Sequence, residues 1–331
     1  MFTRVGPAAY KPDLHNTIQL LEALGNPQQG LRCIHIAGTN GKGSTSNMLA
    51  AILQQQGYTT GLYTSPHLVD FRERIRIDGA MIGKQDVIDF TEQHRSLFEA
   101  IQPSFFEMTV GLCFDHFRKN PVEIAVIETG LGGRLDSTNV ITPVISIITN
   151  IGFDHMNLLG DTLPKIASEK AGIIKPGIPV VIGETDAETA PVFQDKAMQC
   201  HSLIVFADEQ IEIIKREKAD DRMWVDVKYL DEMWLPHLEV SLTGDYQIKN
   251  LCTVLQSVRL LQDQMVISES AIRKGLACVQ QLTGFAGRWQ VLQKNPLVIT
   301  DTGHNAHGSQ QTMHQLKQTP HRTLHIVFGV V

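Results

Sequence analysis

The segment from Cys33 to Thr45, CIHIAGTNGKGST, is a short apolar run that breaks into a glycine-rich turn and opens onto a helix-forming stretch. Residues 33–37 are a predicted strand, 38–43 a turn, and Ser44 onward a helix. Gly38, Gly41 and Gly43 carry no Cβ, so the backbone between strand and helix can wrap closely around a ligand and adopt positive φ. Exposed N–H groups at a helix start, together with the helix dipole, favour an anion there. Lys42 can reach outer phosphate oxygens, and Ser44 or Thr45 can offer a hydroxyl to Mg2+. The stretch departs from the common phosphate-loop pattern G-x-x-x-x-G-K-[ST], because Ile36 stands at the first glycine and Gly43 follows the lysine. An ordinary strand-to-helix turn is the plain alternative, and the concentration of glycines, lysine and hydroxyls weighs against it.

Further runs repeat the plan. LRCIHIA (31–37), TTGLYT (59–64), EIAVIE (123–128) and VISIIT (144–149) are predicted strands, and segments near 43–56, 84–101, 105–118 and 162–172 are predicted helices. Strands that are apolar on both faces and separated by helices require a mostly parallel sheet covered on both sides, so the fold class is α/β. Between about 203 and 242, SLIVFA, QIEIIKR, RMWVDVKYL and HLEVSL follow closely on one another and imply a small antiparallel sheet. Helices are predicted near 246–263 and 268–281. From 295 onward, PLVITD reads as a strand, HNAHGSQQTMHQLKQ as a helix and TLHIVFGVV as a strand. The expected domains are 1–294, holding the nucleotide loop and both sheets, and 295–331, an incomplete C-terminal α/β unit. A strand–helix–strand of that size is too small for its own core, so the sequence is expected to be a fragment of a longer chain.

The totals narrow the classes. A chain of 331 residues exceeds one ordinary core. Net charge is −6, from 29 basic and 35 acidic residues, which offers no electrostatic case for nucleic acid or an anionic membrane. No apolar run approaches the roughly 18 residues of a membrane span, and MFTRVGPAAYKPDLHN does not read as a secretion signal. The five cysteines, Cys33, Cys113, Cys200, Cys252 and Cys278, form no CxxC pair, and reduced thiols in a cytoplasm are expected.

Several motifs then occur in order: GTNGKGST (38–45), YTSPHLVDFRERIRI (63–77), FFEMT (105–109), ETGLGGRLDSTNV (128–140) and TNIGFDHMNLLG (149–160). IASEKAGIIKPG (166–177), GDYQIKN (244–250), GRWQ (287–290) and DTGHNAHG (301–308) continue the series. Together they resemble the folylpolyglutamate synthase/dihydrofolate synthase family, within the ATP-dependent amide ligases that include the Mur peptidoglycan ligases. The resemblance spans nearly the whole chain. It implies a ligase that adds L-glutamate to the γ-carboxyl of a folate through an acyl phosphate, releasing ADP and phosphate, and it leaves dihydropteroate open as a second acceptor. It also implies ATP and two Mg2+ ions as cofactors, a monomer, and a C-terminal domain about a hundred residues longer than the one seen here. A Mur-type ligase for a cell-wall precursor, or an inactive ATP-binding fragment, is the alternative.

Site roles follow from the same resemblance. Gly38, Thr39, Asn40, Gly41, Lys42, Gly43, Ser44 and Thr45 would hold the phosphates. Ser44, Ser65 and Glu128 would meet one Mg2+, with Glu128 at the carboxyl end of its strand, where open α/β sheets bind ligands. Glu128, His155 and a carbamylated Lys170 would hold the second. Carbamylation needs a lysine that can lose its proton, hence a partly buried one. Gln247 and Asn250 would read adenine, Arg288 would reach the phosphates, and Asp301 and His304 would flank the ribose, the acyl phosphate and the incoming amino acid. Lys42, His155, Lys170 and Arg288 form the expected catalytic set. Ser104, Phe106, Asp136 and Ser137 would face the pterin-bearing substrate, with Phe106 stacking on a flat ring. Arg72, Glu73 and Arg74 are expected chiefly as salt-bridge residues of their loop, and Trp289 as a core residue. The family usually reads D-G-A-H-N where this chain reads DTGHN, so Thr302 puts a side chain where glycine is usual.

Overall fold

The main sheet contains β1 (Cys33–Ala37), β2 (Thr60–Tyr63), β3 (Ile75–Ile77), β4 (Ala80–Met81), β5 (Ile124–Glu128), β6 (Ile145–Ile148), β7 (Val180–Ile182) and β8 (Ile204–Phe206). Every residue of β1, β2, β5, β6 and β7 is buried, as strands apolar on both faces require. The spatial order is β4-β3-β2-β5-β1-β6-β7-β8, with β2 through β8 paired in parallel and β3 and β4 turned antiparallel at one edge. These coordinates come from a computed structural model that describes residues 13–219, 221–303 and 305–329.

Alternate residues of a strand point to opposite faces, and the core divides accordingly. Ile124 and Val126 of β5 join one apolar cluster, whereas Ala125 and Ile127 join another. On the first face lies the helix Lys42–Gln56, buried from Ser44 through Leu53 between the sheet and a further helical layer. That layer is Gln247–Leu261 and Glu269–Ala277. Gly275 permits the approach, since a Cβ there would lie 2.7 Å from Ile52 Cα. The second face is closed by His15–Ala23 and Phe105–Lys119 through Leu20, Leu21, Val110, Phe114 and Phe117.

The small antiparallel sheet is β9 (Ile211–Lys218), β10 (Met223–Tyr229) and β11 (Glu232–Val240), and its Val225, Val227, Leu235 and Leu238 join the first core. SLIVFA does not belong to it, contrary to the expectation. Its β8 pairs in parallel with β7, a three-residue strand too short to register in the sequence. The helix expected over 84–101 is two, Lys84–Gln93 and Arg95–Ile101, broken at His94. That expected over 268–281 breaks at Cys278.

At the C-terminal end β12 (Gln290–Lys294) and β13 (Leu297–Thr300) form a hairpin, followed by the helix Ala306–Gln318. The expected domain boundary at 294/295 falls in the turn of that hairpin. The strand expected over 323–331 does not form across 323–329, and 330–331 lie outside the described residues. Among the described residues no helix is long and apolar enough to cross a membrane.

Candidate active site

The strand β1 delivers the glycine turn to the carboxyl edge of the sheet, and the turn is pinned there. Asn40 N–H donates to Asn150 Oδ1 (2.9 Å), Thr149 Oγ1 donates to Asn40 O (2.5 Å), and Thr39 Oγ1 bonds the backbone of Gly152. Gly41 has φ 84° and starts the helix Lys42–Gln56. Its missing Cβ also makes room, because a Cβ there would overlap the Asn250 side chain. Gly41→Ala is therefore expected to weaken ATP binding by more than about tenfold and to lower the melting temperature, since strain and collision each cost about 1 kcal/mol or more. Titration with ATP and a thermal melt check this, and unchanged affinity would show that the loop adjusts freely.

The two hydroxyls offered by the sequence separate. Ser44 lines the cavities, while Thr45 Oγ1 is buried away from them without a hydrogen-bond partner. Gln247 is fully buried and does not face a cavity; its amide donates to Ser44 Oγ (3.1 Å), and its oxygen accepts from Asn250 Nδ2 (2.7 Å). It braces the loop from the helix Gln247–Leu261.

Lys42 Nζ and Lys170 Nζ both donate to Gly38 O, each at 2.9 Å. Two amines on one carbonyl oxygen repel each other when charged. Lys170 is 3% exposed, and burial first, Lys42 second, pulls it down to about 7. Burial also lowers Lys42, opposed by the negative charge of Glu128. Glu128 is 3% exposed; burial lifts its carboxyl to about 7, against the pull of Lys42 and a hydrogen bond from Ser65 N–H (3.2 Å). These groups share a cavity of about 300 Å³ with Ser65, His155 and Arg288. Four consecutive sheet positions supply it: Ser65 follows β2, Glu128 ends β5, the glycine turn follows β1, and His155 follows β6. His155 has φ 46° and a half-exposed ring whose Nε2 lies 3.7 Å from Asp154 Oδ1.

Among the described residues no three His, Cys, Asp or Glu side chains converge as a ready-made metal cage. Mg2+ in general takes one or two carboxylates and completes its shell with water and substrate phosphates. A divalent cation in this cavity would favour the ionised form of the Glu128 carboxyl, which burial holds near 7.

Beside this cavity is a smaller one of about 50 Å³, lined by Asn40, Asn150, Tyr246, Asn250, Arg288 and Asp301 among others. Asp301 accepts from Tyr246 OH (2.7 Å), Trp289 N–H (2.9 Å) and Gly303 N–H (2.8 Å), which ties the C-terminal segment to the helix layer. Thr302 Oγ1 donates to Gly287 O (3.0 Å), so the side chain that replaces the usual glycine is a tether for its turn. Trp289 is buried, as expected. His304 lies outside the described residues.

A third cavity, of about 410 Å³, collects Ser104, Phe106, Asp136 and Ser137 with Arg74 and His155. Ser104 Oγ caps the helix Phe105–Lys119 by accepting from Glu107 N–H (3.2 Å). Asp136 is 4% exposed and clasps its own loop, accepting from Gly130, Leu131 and Thr138 N–H and from Thr138 Oγ1. Phe106 packs over Gly130 and tilts against Tyr63, ring centroids 6.3 Å apart. Arg72 pairs with Asp70, and Glu73 accepts from the backbone N–H groups of Leu68, Val69 and Asp70, as loop residues. Arg74 differs from them: it donates to His67 Nδ1 and lies over the Phe105 ring.

Sequence reading missed Asn150, Asp154, Tyr246 and Asn305. All four stand inside quoted motifs, but only the packed loops reveal what they touch. Residues 36–258 match the Mur ligase middle domain family. The chain is 37% identical to folylpolyglutamate synthase of Lacticaseibacillus casei, covering 96% of this chain and 76% of that one. It is 35% identical to dihydrofolate synthase/folylpolyglutamate synthase of Bacillus subtilis, covering 93% and 73%. The fold superimposes on the apo L. casei enzyme with a TM-score of 0.86 over 93% of this chain and 76% of that one, at 37% identity. A solved complex of folylpolyglutamate synthase with AMPPCP and folate gives the same TM-score, 0.86, and the same identity and coverage, 37%, 93% and 76%.

Proposed function

The chain belongs to the folylpolyglutamate synthase/dihydrofolate synthase family of Mur-type ligases, and from that premise we propose that it joins L-glutamate to the γ-carboxyl of a reduced folate at the expense of ATP. The observation that carries this reading is the convergence of Lys42, Ser65, Glu128, His155 and Lys170 on one cavity next to a polar recess lined by Asn250, Arg288 and Asp301. A carboxylate attacks the γ-phosphate to give an acyl phosphate and ADP, and the amine of glutamate then displaces phosphate. The first step brings two anions together, so positive groups aimed at the transferring phosphoryl group do most of the work.

Lys42 and the N–H groups of the helix start would hold the β- and γ-phosphates, and Arg288 would meet them from the opposite wall. Asn250 and Asp301 would take the adenosine end. Ser44, Ser65 and Glu128 would hold one Mg2+, and Glu128, His155 and carbamylated Lys170 the other. Mg2+ would supply charge neutralisation at the phosphoryl oxygens. Phe106, Arg74 and Ser137 would face the aryl part of the folate, with Ser104 and Asp136 shaping their loops from behind. His304 would act near the incoming glutamate. We keep 1–294 as the ATP-binding domain and 295–331 as the start of the glutamate-ligase domain, and expect a cytoplasmic monomer. The five free thiols support that compartment.

A coupled assay of ADP release tests the reading. Turnover is expected only when tetrahydrofolate and L-glutamate are both present, and dihydropteroate as the competing acceptor reports the second activity. ATP turnover driven instead by a muramyl precursor would overturn it.

A further inference from the structure

One side chain of the C-terminal segment touches both halves of the phosphate-handling apparatus. Asn305 Nδ2 donates to Asn40 Oδ1 in the glycine turn at 2.9 Å and approaches Asp154 Oδ2, next to His155, at 3.3 Å. Its Oδ1 faces the other way and accepts from Gly308 N–H (2.8 Å), capping the helix Ala306–Gln318. The Asn40 backbone is held at two further points, its N–H donating to Asn150 Oδ1 and its carbonyl accepting from Thr149 Oγ1. Asp154 adds its negative charge to the field felt by both Lys42 and Lys170.

We propose that Asn305 is a positioning residue for ATP: through Nδ2 it fixes the Asn40 side chain of the phosphate loop against the Asp154–His155 turn. The amide lets one residue donate to two acceptors on different loops, one of them a carboxylate. The loop is thereby held in its phosphate-receiving shape before the nucleotide arrives, which removes an ordering cost from binding. This inference rests on the reading of the glycine turn as the ATP site.

The two ends of the side chain can be separated. Asn305→Ser keeps a good helix cap but loses the reach to Asn40 and Asp154, whereas Asn305→Asp keeps the capping oxygen and turns the donor into a carboxylate facing Asp154. The probe is Mg-AMPPCP, titrated into the 331-residue protein and its variants. Asn305→Ser is expected to raise Kd about tenfold, the scale of one lost hydrogen bond to a preformed site, and Asn305→Asp more than that. Melting temperatures of the ligand-free variants should stay within about 2 °C of wild type because the cap is retained. In combination with Asn40→Ala, Asn305→Ser should add nothing to the loss caused by Asn40→Ala alone. Wild-type binding by Asn305→Ser, or losses that multiply in the double variant, would overturn the inference. Wild-type protein that fails to bind Mg-AMPPCP would overturn the nucleotide-site reading itself, an outcome distinct from either.

Discussion

Lys170→Ala is expected to cut folate-dependent ADP release by about a thousandfold or more, the scale on which one preorganised charge acts in a transition state. A short carboxylate such as acetate or propionate should restore part of it. The reason lies in where the amine sits. Lys170 is buried, shares the Gly38 carbonyl with Lys42, and is held down to about 7. A neutral amine can attack CO2: its lone pair forms the N–C bond, one proton leaves to solvent, and an anionic carbamate remains. That converts a group that would repel a cation into an oxygen ligand. Below about 7 the ammonium form dominates, so activity should fall with acid and with removal of bicarbonate, and Lys170→Ala should lose both dependences. Full activity in Lys170→Ala would remove the residue from the proposed metal site.

Glu128→Gln should separate function from stability. Turnover is expected to drop by at least about a hundredfold, because the carboxylate proposed to meet the metal and phosphates is replaced by a neutral amide. The folded protein should nonetheless gain stability at pH 8. Burial raises the Glu128 carboxyl to about 7 from its ordinary 4.5, so the folded state holds its proton when the unfolded chain has already lost it. The stability linked to that proton is complete below 4.5 and drains away as pH rises through 7. Glutamine does not titrate, and its oxygen can still accept from Ser65 N–H, so the variant escapes this loss. Removing the charge opposite Lys42 offsets part of the gain. Melts at pH 5 and pH 8 without nucleotide decide the matter: the advantage of Glu128→Gln should appear at pH 8 and shrink at pH 5. Equal melting behaviour at both would mean that Glu128 is ionised without cost.

How much was legible beforehand depends on whether a signal was local. β1, β2, β5 and β6 announced themselves as apolar runs because both of their faces are buried, and the phosphate turn followed from glycines placed between strand and helix. The three-residue β7 and the two-residue β4 carry too few residues for a pattern, and β8 was grouped with the wrong sheet because pairing partners are chosen in space. His94 and Cys278 interrupt helices without a proline or glycine to mark the break.

The same division runs through the site. Residue types and motif order were sufficient for the family, the glycine turn between strand and helix, and the roster of candidate ligands, since those depend on short contiguous stretches. Which hydroxyl faces the cavity, Ser44 or Thr45, was settled by helix rotation in the packed layer. The depressed Lys170 and the raised Glu128 exist only because folding removes water from around both and sets Lys42 between them. Asn305 reaches Asn40 across 265 positions of sequence, and no local pattern encodes that contact. Backbone preference and periodicity are properties of a segment. Desolvation, charge proximity and register belong to the assembled molecule.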